Sequence, residues 1–124
     1  LRIEGHVVFA GVVDDTRWYY RAGDVFAMPS IFDTFGMAVL EAMAAGLPVI
    51  ITRTVGARDL VEDGINGFTL EEHAGPDEMA ASLRVLLNRD RRQAMGEKAR
   101  QTATAHSWER TAEQVAAIYR SCRT

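Results

Sequence analysis

The segment PSIFDTFGMAVLEAMAAGLPV, residues 29–49, decides the predicted fold of this 124-residue chain. An apolar run at residues 25–28 precedes it and predicts a strand buried on both faces. Apolar residues recur at helical spacing over residues 35–45, and Gly46 is a typical residue to end such a helix. A second apolar run follows at residues 48–51. A strand, a helix and a strand over so short a distance predict a crossover unit of a parallel sheet.

Outward from this unit, two further strands are predicted at residues 7–10 and 67–70. Asp15 is placed to cap a helix over residues 16–22, and the aromatic residues of that helix are expected in the core rather than on a stacking surface. Those residues are Trp18, Tyr19 and Tyr20.

After residue 70 the pattern becomes helical, with helices predicted over residues 76–88, over residues 89–105 and from the N-cap Ser107 onward. The last helix is expected to bury Trp108, Val115, Ile118 and Tyr119. The predicted fold class is α/β, a partial Rossmann-like parallel sheet of about four strands with flanking helices and a helical C-terminal region. One domain is expected over residues 1–124, with strand–helix units in 1–75 and the helical region in 76–124.

Composition excludes some function classes. The 14 basic and 17 acidic residues give a formal net charge of -3, which argues against a nucleic-acid partner bound through its phosphates. The single cysteine, Cys122, cannot pair within the chain, so a reducing, cytosolic setting is expected. The scattered histidines have no metal-ligand spacing, and we predict no metal site.

The predicted ligand site is the turn between the strand at residues 25–28 and the following helix, because ligands of open parallel sheets bind at the carboxyl ends of strands. N–H groups without helical partners point at one spot there, and the helix dipole adds to their attraction for a phosphate or pyrophosphate. Gly36 lets a ligand approach the backbone because it has no Cβ. The amides belong to Phe35, Gly36, Met37 and Ala38.

Glu41 lies about a turn and a half into the same predicted helix, too far along to cap it. Burying its carboxylate in so apolar a helix is costly unless a partner donates hydrogen bonds, and the two adjacent hydroxyls of a ribose are suitable donors. The alternative is that Glu41 is partly exposed or ion-paired with an arginine of the domain. Spacing alone leaves both interpretations open.

The same segment resembles the signature of family 4 glycosyltransferases, which are retaining enzymes with two Rossmann-like domains. Its motif joins Pro29-Ser30, an acid, Phe-Gly, a second acid eight residues after the first, Glu-Ala-Met-Ala and Gly-x-Pro-Val in fixed order. The likeness continues through Gly56, Asp63-Gly64 and Gly67-Phe68 to Ser107-Trp108-Glu109 and so covers nearly the whole chain. The chain is identified as the C-terminal, donor-binding domain of such an enzyme.

The family motif has two glutamates separated by seven residues. Here the second is Glu41, while the first position holds Asp33, which is one methylene shorter. The resemblance implies that Glu41 binds the nucleotide ribose and that Asp33, the catalytic candidate, contacts the donor sugar near its anomeric carbon. Asp33 can also cap the following helix through the N–H of Phe35 or Gly36, and the two roles are compatible.

Three more site residues are implied by the resemblance. Gly56 lies in the turn after the strand at residues 48–51, where relatives often carry paired glycines near phosphate or sugar, although a plain helix-entry glycine explains it equally well. Gly11 and Val12 follow the strand at residues 7–10, where relatives hold the base largely through main-chain groups.

The implied function is to bind the nucleotide-diphospho-sugar donor of a hexosyltransferase that transfers a hexose-type sugar to a glycan or lipid-linked acceptor in polysaccharide biosynthesis. Relatives bind the acceptor in an N-terminal domain, and a catalytic arginine and lysine come from the segment before this chain begins, so the isolated chain is expected to be inactive. No cofactor is implied. The full-length protein is expected in the cytoplasm or peripheral to the inner face of the membrane. Two alternatives stay open, a non-catalytic nucleotide-binding or assembly module and a nucleotide-sugar epimerase-like enzyme.

In the family, strands that precede residue 7 lie between the strand at residues 7–10 and the strand at residues 25–28. Without them, the first strand is expected either to pair directly with the second or to complete a sheet in another copy of the chain, because an unpaired buried edge is a liability. The sequence therefore predicts a rearranged sheet edge or a strand-exchanged homodimer.

Overall fold

The computed structural model of the chain describes residues 3–122, so both ends of the predicted 1–124 domain lie outside the described residues. Within that range the chain forms a three-stranded parallel sheet in the order β1-β2-β3. The strands are β1 (Phe26–Met28), β2 (Val49–Thr52) and β3 (Gly67–Leu70). The α/β class and the parallel arrangement are confirmed, with three strands in place of about four.

The helices follow the predicted order. They are α1 (Arg17–Ala22), α2 (Met37–Ala44), α3 (Pro76–Leu86), α4 (Arg89–Thr104) and α5 (Trp108–Ser121), with short 3-10 turns at Glu4–His6 and Gly56–Leu60. The predicted caps are confirmed: the Asp15 carboxylate accepts a hydrogen bond of 3.0 Å from the Arg17 N–H, and the Ser107 hydroxyl accepts one of 3.3 Å from the Arg110 N–H. Local capping chemistry therefore sets where α1 and α5 begin.

The core lies on both faces of β2, whose four residues are all buried. On one face Val49 and Ile51 pack with residues of α2 and α4, and on the other Ile50 packs with Leu86 and Met95. A central parallel strand covered on both faces is expected to be apolar throughout, as the sequence VIIT nearly is. The sheet is thus anchored at β2, and the segments that follow its strands are positioned by it.

The strand predicted at residues 7–10 is not formed. Val8 is 90% exposed and Phe9 94% exposed, and no described strand pairs with this segment. An apolar run becomes a strand only where a neighbouring strand accepts its backbone hydrogen bonds, and none of the residues 3–122 provides that neighbour. The rearranged edge, in which this segment would pair with β1, is therefore wrong, while the strand-exchanged dimer stays a prediction.

Two predictions of burial are also wrong. The apolar face of α5 is exposed, with Trp108 and Tyr119 each 73% exposed, because no described helix or strand packs over it. On α1, Trp18 and Tyr19 are exposed, and only Tyr20 packs against the core. The helical spacing that places residues on one face does not supply the surface that would cover that face.

Candidate functional site

The start of α2 presents the predicted cluster of amides. Gly36 precedes the helix with a φ of 83°, a left-handed conformation that favours glycine. Among residues 3–122, the N–H groups of Gly36, Met37 and Ala38 make no hydrogen bond. The first N–H groups of a helix have no intrahelical partner, so the amides of the exposed Met37 and the half-buried Ala38 remain available to an anion, while that of the buried Gly36 is unpaired.

The fourth amide of the predicted cluster, that of Phe35, is already hydrogen-bonded to Asp33. The Asp33 Oδ1 accepts a hydrogen bond of 3.0 Å from the Phe35 N–H, so the capping role considered for Asp33 is present. Its main chain also bridges to Val55, with the Gly56 N–H donating to the Asp33 carbonyl at 3.1 Å. Asp33 is therefore held firmly beside α2, and its contact with a donor sugar stays a prediction.

At Gly36 and Gly56, the loop that follows β1 packs closely against the loop that follows β2. A Cβ on Gly56 would lie 2.1 Å from the Thr34 carbonyl oxygen, and one on Gly36 would lie 2.8 Å from the Val55 Cγ1. Only glycine permits so close an approach of the two backbones. This packing role accounts for Gly56 without a ligand, and its predicted ligand role is untested.

Glu41 is exposed, so the desolvation argument for a hydrogen-bonding ligand does not apply to it. Its Oε2 accepts a hydrogen bond of 3.0 Å from the Tyr20 hydroxyl on α1. No arginine or lysine nitrogen of the described residues lies within 4.0 Å of its carboxylate. The sequence left open whether Glu41 binds a ligand or is partly exposed or ion-paired. The structure shows that Glu41 is exposed, and among the described residues it has no ion pair.

Glu41 lines an open cavity of about 750 Å³ between α1, α2 and α4. The segment 14–17 and the side chains of Tyr20, Arg21 and Arg100 form the rest of its wall, together with two alanines of the α2 end. Gly11 and Val12 lead into this segment but do not line the cavity, and Val12 is fully exposed. Sequence reasoning missed this cavity because its wall combines helices distant along the chain.

Asp33 and Gly56 line a separate, shallower depression of about 340 Å³ with Arg53 and Arg58. Each arginine is already paired, Arg53 with Glu71 at 3.0 Å and Arg58 with Asp59 at 3.3 Å. The predicted site residues therefore divide between two surfaces. The three unpaired amides lie at the start of α2, the helix that carries Glu41, and about 6 Å from Glu41 along the helix axis at 1.5 Å per residue.

The described part of the chain contains no group of three His, Cys, Asp or Glu side chains that could hold a metal ion. Within the same residues, every helix is too short or too polar to cross a bilayer.

A parallel β1-β2-β3 sheet covered by helices, with an amide-lined helix start after its first strand, defines a Rossmann-like α/β domain. Residues 1–89 match the family model described as "Glycosyl transferases group 1". The chain belongs to this family, so the glycosyltransferase assignment drawn from residues 29–49 is confirmed.

Relatives and solved structures agree with this assignment. The chain is 44% identical to D-inositol 3-phosphate glycosyltransferase of Corynebacterium urealyticum over 106 residues, which are 85% of this chain and 25% of that protein. Sucrose-phosphate synthase from Thermosynechococcus elongatus superposes with a TM-score of 0.87 at 28% identity, over 97% of this chain and 31% of that one. Anabaena HepE, solved in complex with UDP-glucose, superposes with a TM-score of 0.79 at 26% identity, over 95% of this chain and 33% of that one. The chain thus spans about a quarter to a third of the proteins it matches.

Proposed function

We propose that this chain binds the nucleotide-diphospho-sugar donor of a retaining glycosyltransferase. One observation carries the proposal: three unpaired amides at the start of α2 lie beside the helix that carries an exposed carboxylate, which has no ion-pair partner among residues 3–122. Amides at a helix start suit a diphosphate, and a carboxylate suits the paired hydroxyls of a ribose. The UDP-glucose complex of the related HepE supports a ligand of this chemistry.

In the full-length enzyme the α2 amides would stabilise the negative charge that develops on the departing diphosphate. Asp33 would contact the hydroxyls of the transferred hexose, and the main chain at Gly11 and Val12 would meet the base. A glycan or lipid-linked acceptor would bind outside residues 1–124. The names of the relatives are those of transferases, which favours transfer over epimerisation. No cofactor enters this proposal, and the exposed Cys122 supports a reducing, cytoplasmic setting.

Titration calorimetry of the chain with UDP, GDP, ADP and their sugar conjugates tests the proposal. One nucleotide is expected to bind selectively, and Glu41→Ala is expected to weaken its binding by about tenfold or more. Hydrogen bonds to a charged group contribute about 1.5–3 kcal/mol, and about 1.4 kcal/mol is a tenfold change in affinity.

The matched control is Glu113→Ala, which removes another exposed helical glutamate, on α5, and leaves the site untouched. Its affinity for the nucleotide should equal that of the unaltered chain. Absence of saturable binding to every nucleotide would contradict donor binding. The chain would then be better explained as an assembly module, an alternative that the exposed Val8 and Phe9 favour.

The exposed segment also supports the strand-exchanged homodimer. Residues 7–10 are apolar and without a partner strand among the described residues, and β1 is paired on one side only. A second copy could supply the missing neighbour to each.

A further inference from the structure

The contact between Tyr20 and Glu41 joins α1 to α2 across the wall of the 750 Å³ cavity. The Tyr20 ring is held in place by the core, because it packs edge-on against the Phe26 ring with centroids 5.9 Å apart. A hydroxyl on a ring held by the core makes a hydrogen bond of defined direction. The position of the Glu41 carboxylate is therefore set by the core through Tyr20.

Tyr20 acts as a hydrogen-bond donor over the whole physiological range. Burial raises the pKa of its hydroxyl above the ordinary value of 10.0, and the neighbouring Glu41 carboxylate raises it further. A tyrosine donor is neutral, so it orients a carboxylate without cancelling its charge. An arginine in the same place would compete with ligand hydroxyls for the same oxygens.

Two arginines of α1 line this cavity, and both are engaged elsewhere. The Arg17 guanidinium donates to both Asp15 oxygens, at 2.9 and 2.8 Å, and the Arg21 guanidinium lies 5.6 Å from the centre of the Trp18 ring. Arg100 also lines the cavity, but neither it nor any other arginine or lysine of residues 3–122 forms an ion pair with Glu41, whose second oxygen, Oε1, has no partner among these residues. A fixed, charged acceptor with an open oxygen is suited to vicinal hydroxyls.

We propose that Tyr20 is a positioning residue that holds Glu41 for the ribose hydroxyls, so that the site prefers ribonucleoside over 2′-deoxyribonucleoside diphosphates. The inference rests on the proposed function and adds a residue and a selectivity to it. Tyr20 itself does not touch the nucleotide. It holds the Glu41 side chain in one orientation before the nucleotide binds, so that less side-chain entropy is lost on binding.

The test compares the tightest-binding of UDP, GDP and ADP with its 2′-deoxy analogue by calorimetry. Tyr20→Phe removes only the hydroxyl and keeps the ring on Phe26. We expect it to reduce the ribo-to-deoxy affinity ratio about three- to tenfold, as the loss of one hydrogen bond implies, while the affinity for the deoxy analogue stays within about twofold. A merely structural role would weaken both ligands equally, and that result would overturn the inference.

Tyr19→Phe is the matched control, because Tyr19 is the adjacent, exposed tyrosine of α1. It should leave the affinity ratio unchanged. In a Glu41→Ala background, Tyr20→Phe should have no further effect on the ratio, since Tyr20 acts through Glu41. An additive effect of the two changes would contradict the mechanism.

Glu41→Asp provides a second check that leaves Tyr20 intact. Its carboxylate is one methylene short of the Tyr20 hydroxyl, so we expect the preference for the ribonucleotide to fall as in Tyr20→Phe. A fully retained preference would overturn the positioning role. If Glu41→Ala abolishes the preference and Tyr20→Phe does not, only this inference fails, whereas absence of nucleotide binding to the unaltered chain is a failure of the proposed function.

Discussion

Asp15, a partly exposed residue, both starts a helix and pairs with an arginine that lines the candidate site. Its Oδ1 accepts from the Arg17 N–H at the start of α1, and its carboxylate also holds the Arg17 guanidinium. The same arginine lines the cavity that contains Glu41. Asp15 holds this arginine, and the Glu41 carboxylate accepts its hydrogen bond from Tyr20. A local cap therefore influences the charge of the candidate site.

We predict that Asp15 titrates well below an ordinary aspartate. The side-chain hydrogen bond from Arg17, followed by the backbone one, lowers the pKa of Asp15 from 3.8 to about 2. A folded-state pKa below the unfolded one means that this contribution to stability is present above pH 3.8 and is lost as the pH falls through about 2. Carbon-detected magnetic resonance of the carboxyl group measures the value directly.

Arg17→Ala should raise the pKa of Asp15 toward its ordinary value, while Arg110→Ala, on α5, should leave it unchanged. An Asp15 that titrates near 3.8 in the unaltered chain would show that the pair with Arg17 does not persist in solution.

At the scale of the elements, the end of α2 and the middle of α4 approach each other closely at two glycines, Gly46 and Gly96. Gly46 ends α2 with a φ of 85°, and a Cβ on Gly96 of α4 would lie 2.1 Å from the Gly46 carbonyl oxygen. Beside this contact, Val39 and Met43 of α2 share the core with Ala99 of α4. The small residue at position 96 thus brings α4 close enough to cover the helix that carries Glu41.

We predict that Gly96→Ala destabilises the fold. Alanine is favoured over glycine inside a helix by about 1 kcal/mol, but overlap with a backbone atom costs about 1–3 kcal/mol or more. The cost of this overlap is expected to exceed the gain in helix propensity, because the backbone carbonyl of Gly46 cannot rotate away as a side chain would. A net loss of about 1–2 kcal/mol in the free energy of unfolding should appear in urea denaturation.

Gly5→Ala is the control, since a Cβ there meets nothing within 4 Å. It should change the free energy of unfolding by no more than about 0.5 kcal/mol. A Gly96→Ala variant that is more stable than the parent chain would show that helix propensity, and not the approach to α2, decides this position.

At the scale of the whole molecule, the described residues expose large apolar side chains in several segments, among them residues 7–12, residues 31–32 and α5. Residues 7–12 include the exposed Val8, Phe9 and Val12, and α5 exposes Trp108 and Tyr119. Exposed apolar side chains grouped in one segment in this way favour an interaction surface.

At this scale we predict self-association of the isolated chain through residues 7–10. Sedimentation velocity at tens of micromolar should show a dimer, and Val8→Asp should shift it toward the monomer because a buried charge is costly at an interface. Val115→Asp, on the exposed face of α5, serves as the control and should leave the dimer intact. A chain that is monomeric at every concentration would contradict strand exchange.

The sequence alone determined the β1–α2–β2 unit around residues 29–49, the caps at Asp15 and Ser107 and the family, because periodicity, capping and turn chemistry act within a few residues. It also named Glu41 and Asp33, since their spacing belongs to a linear motif. Only the tertiary structure decided what each apolar face meets. Val8 and Trp108 are exposed, and Tyr20 reaches Glu41 across 21 residues of sequence, because burial and pairing depend on surfaces that come from distant parts of the chain.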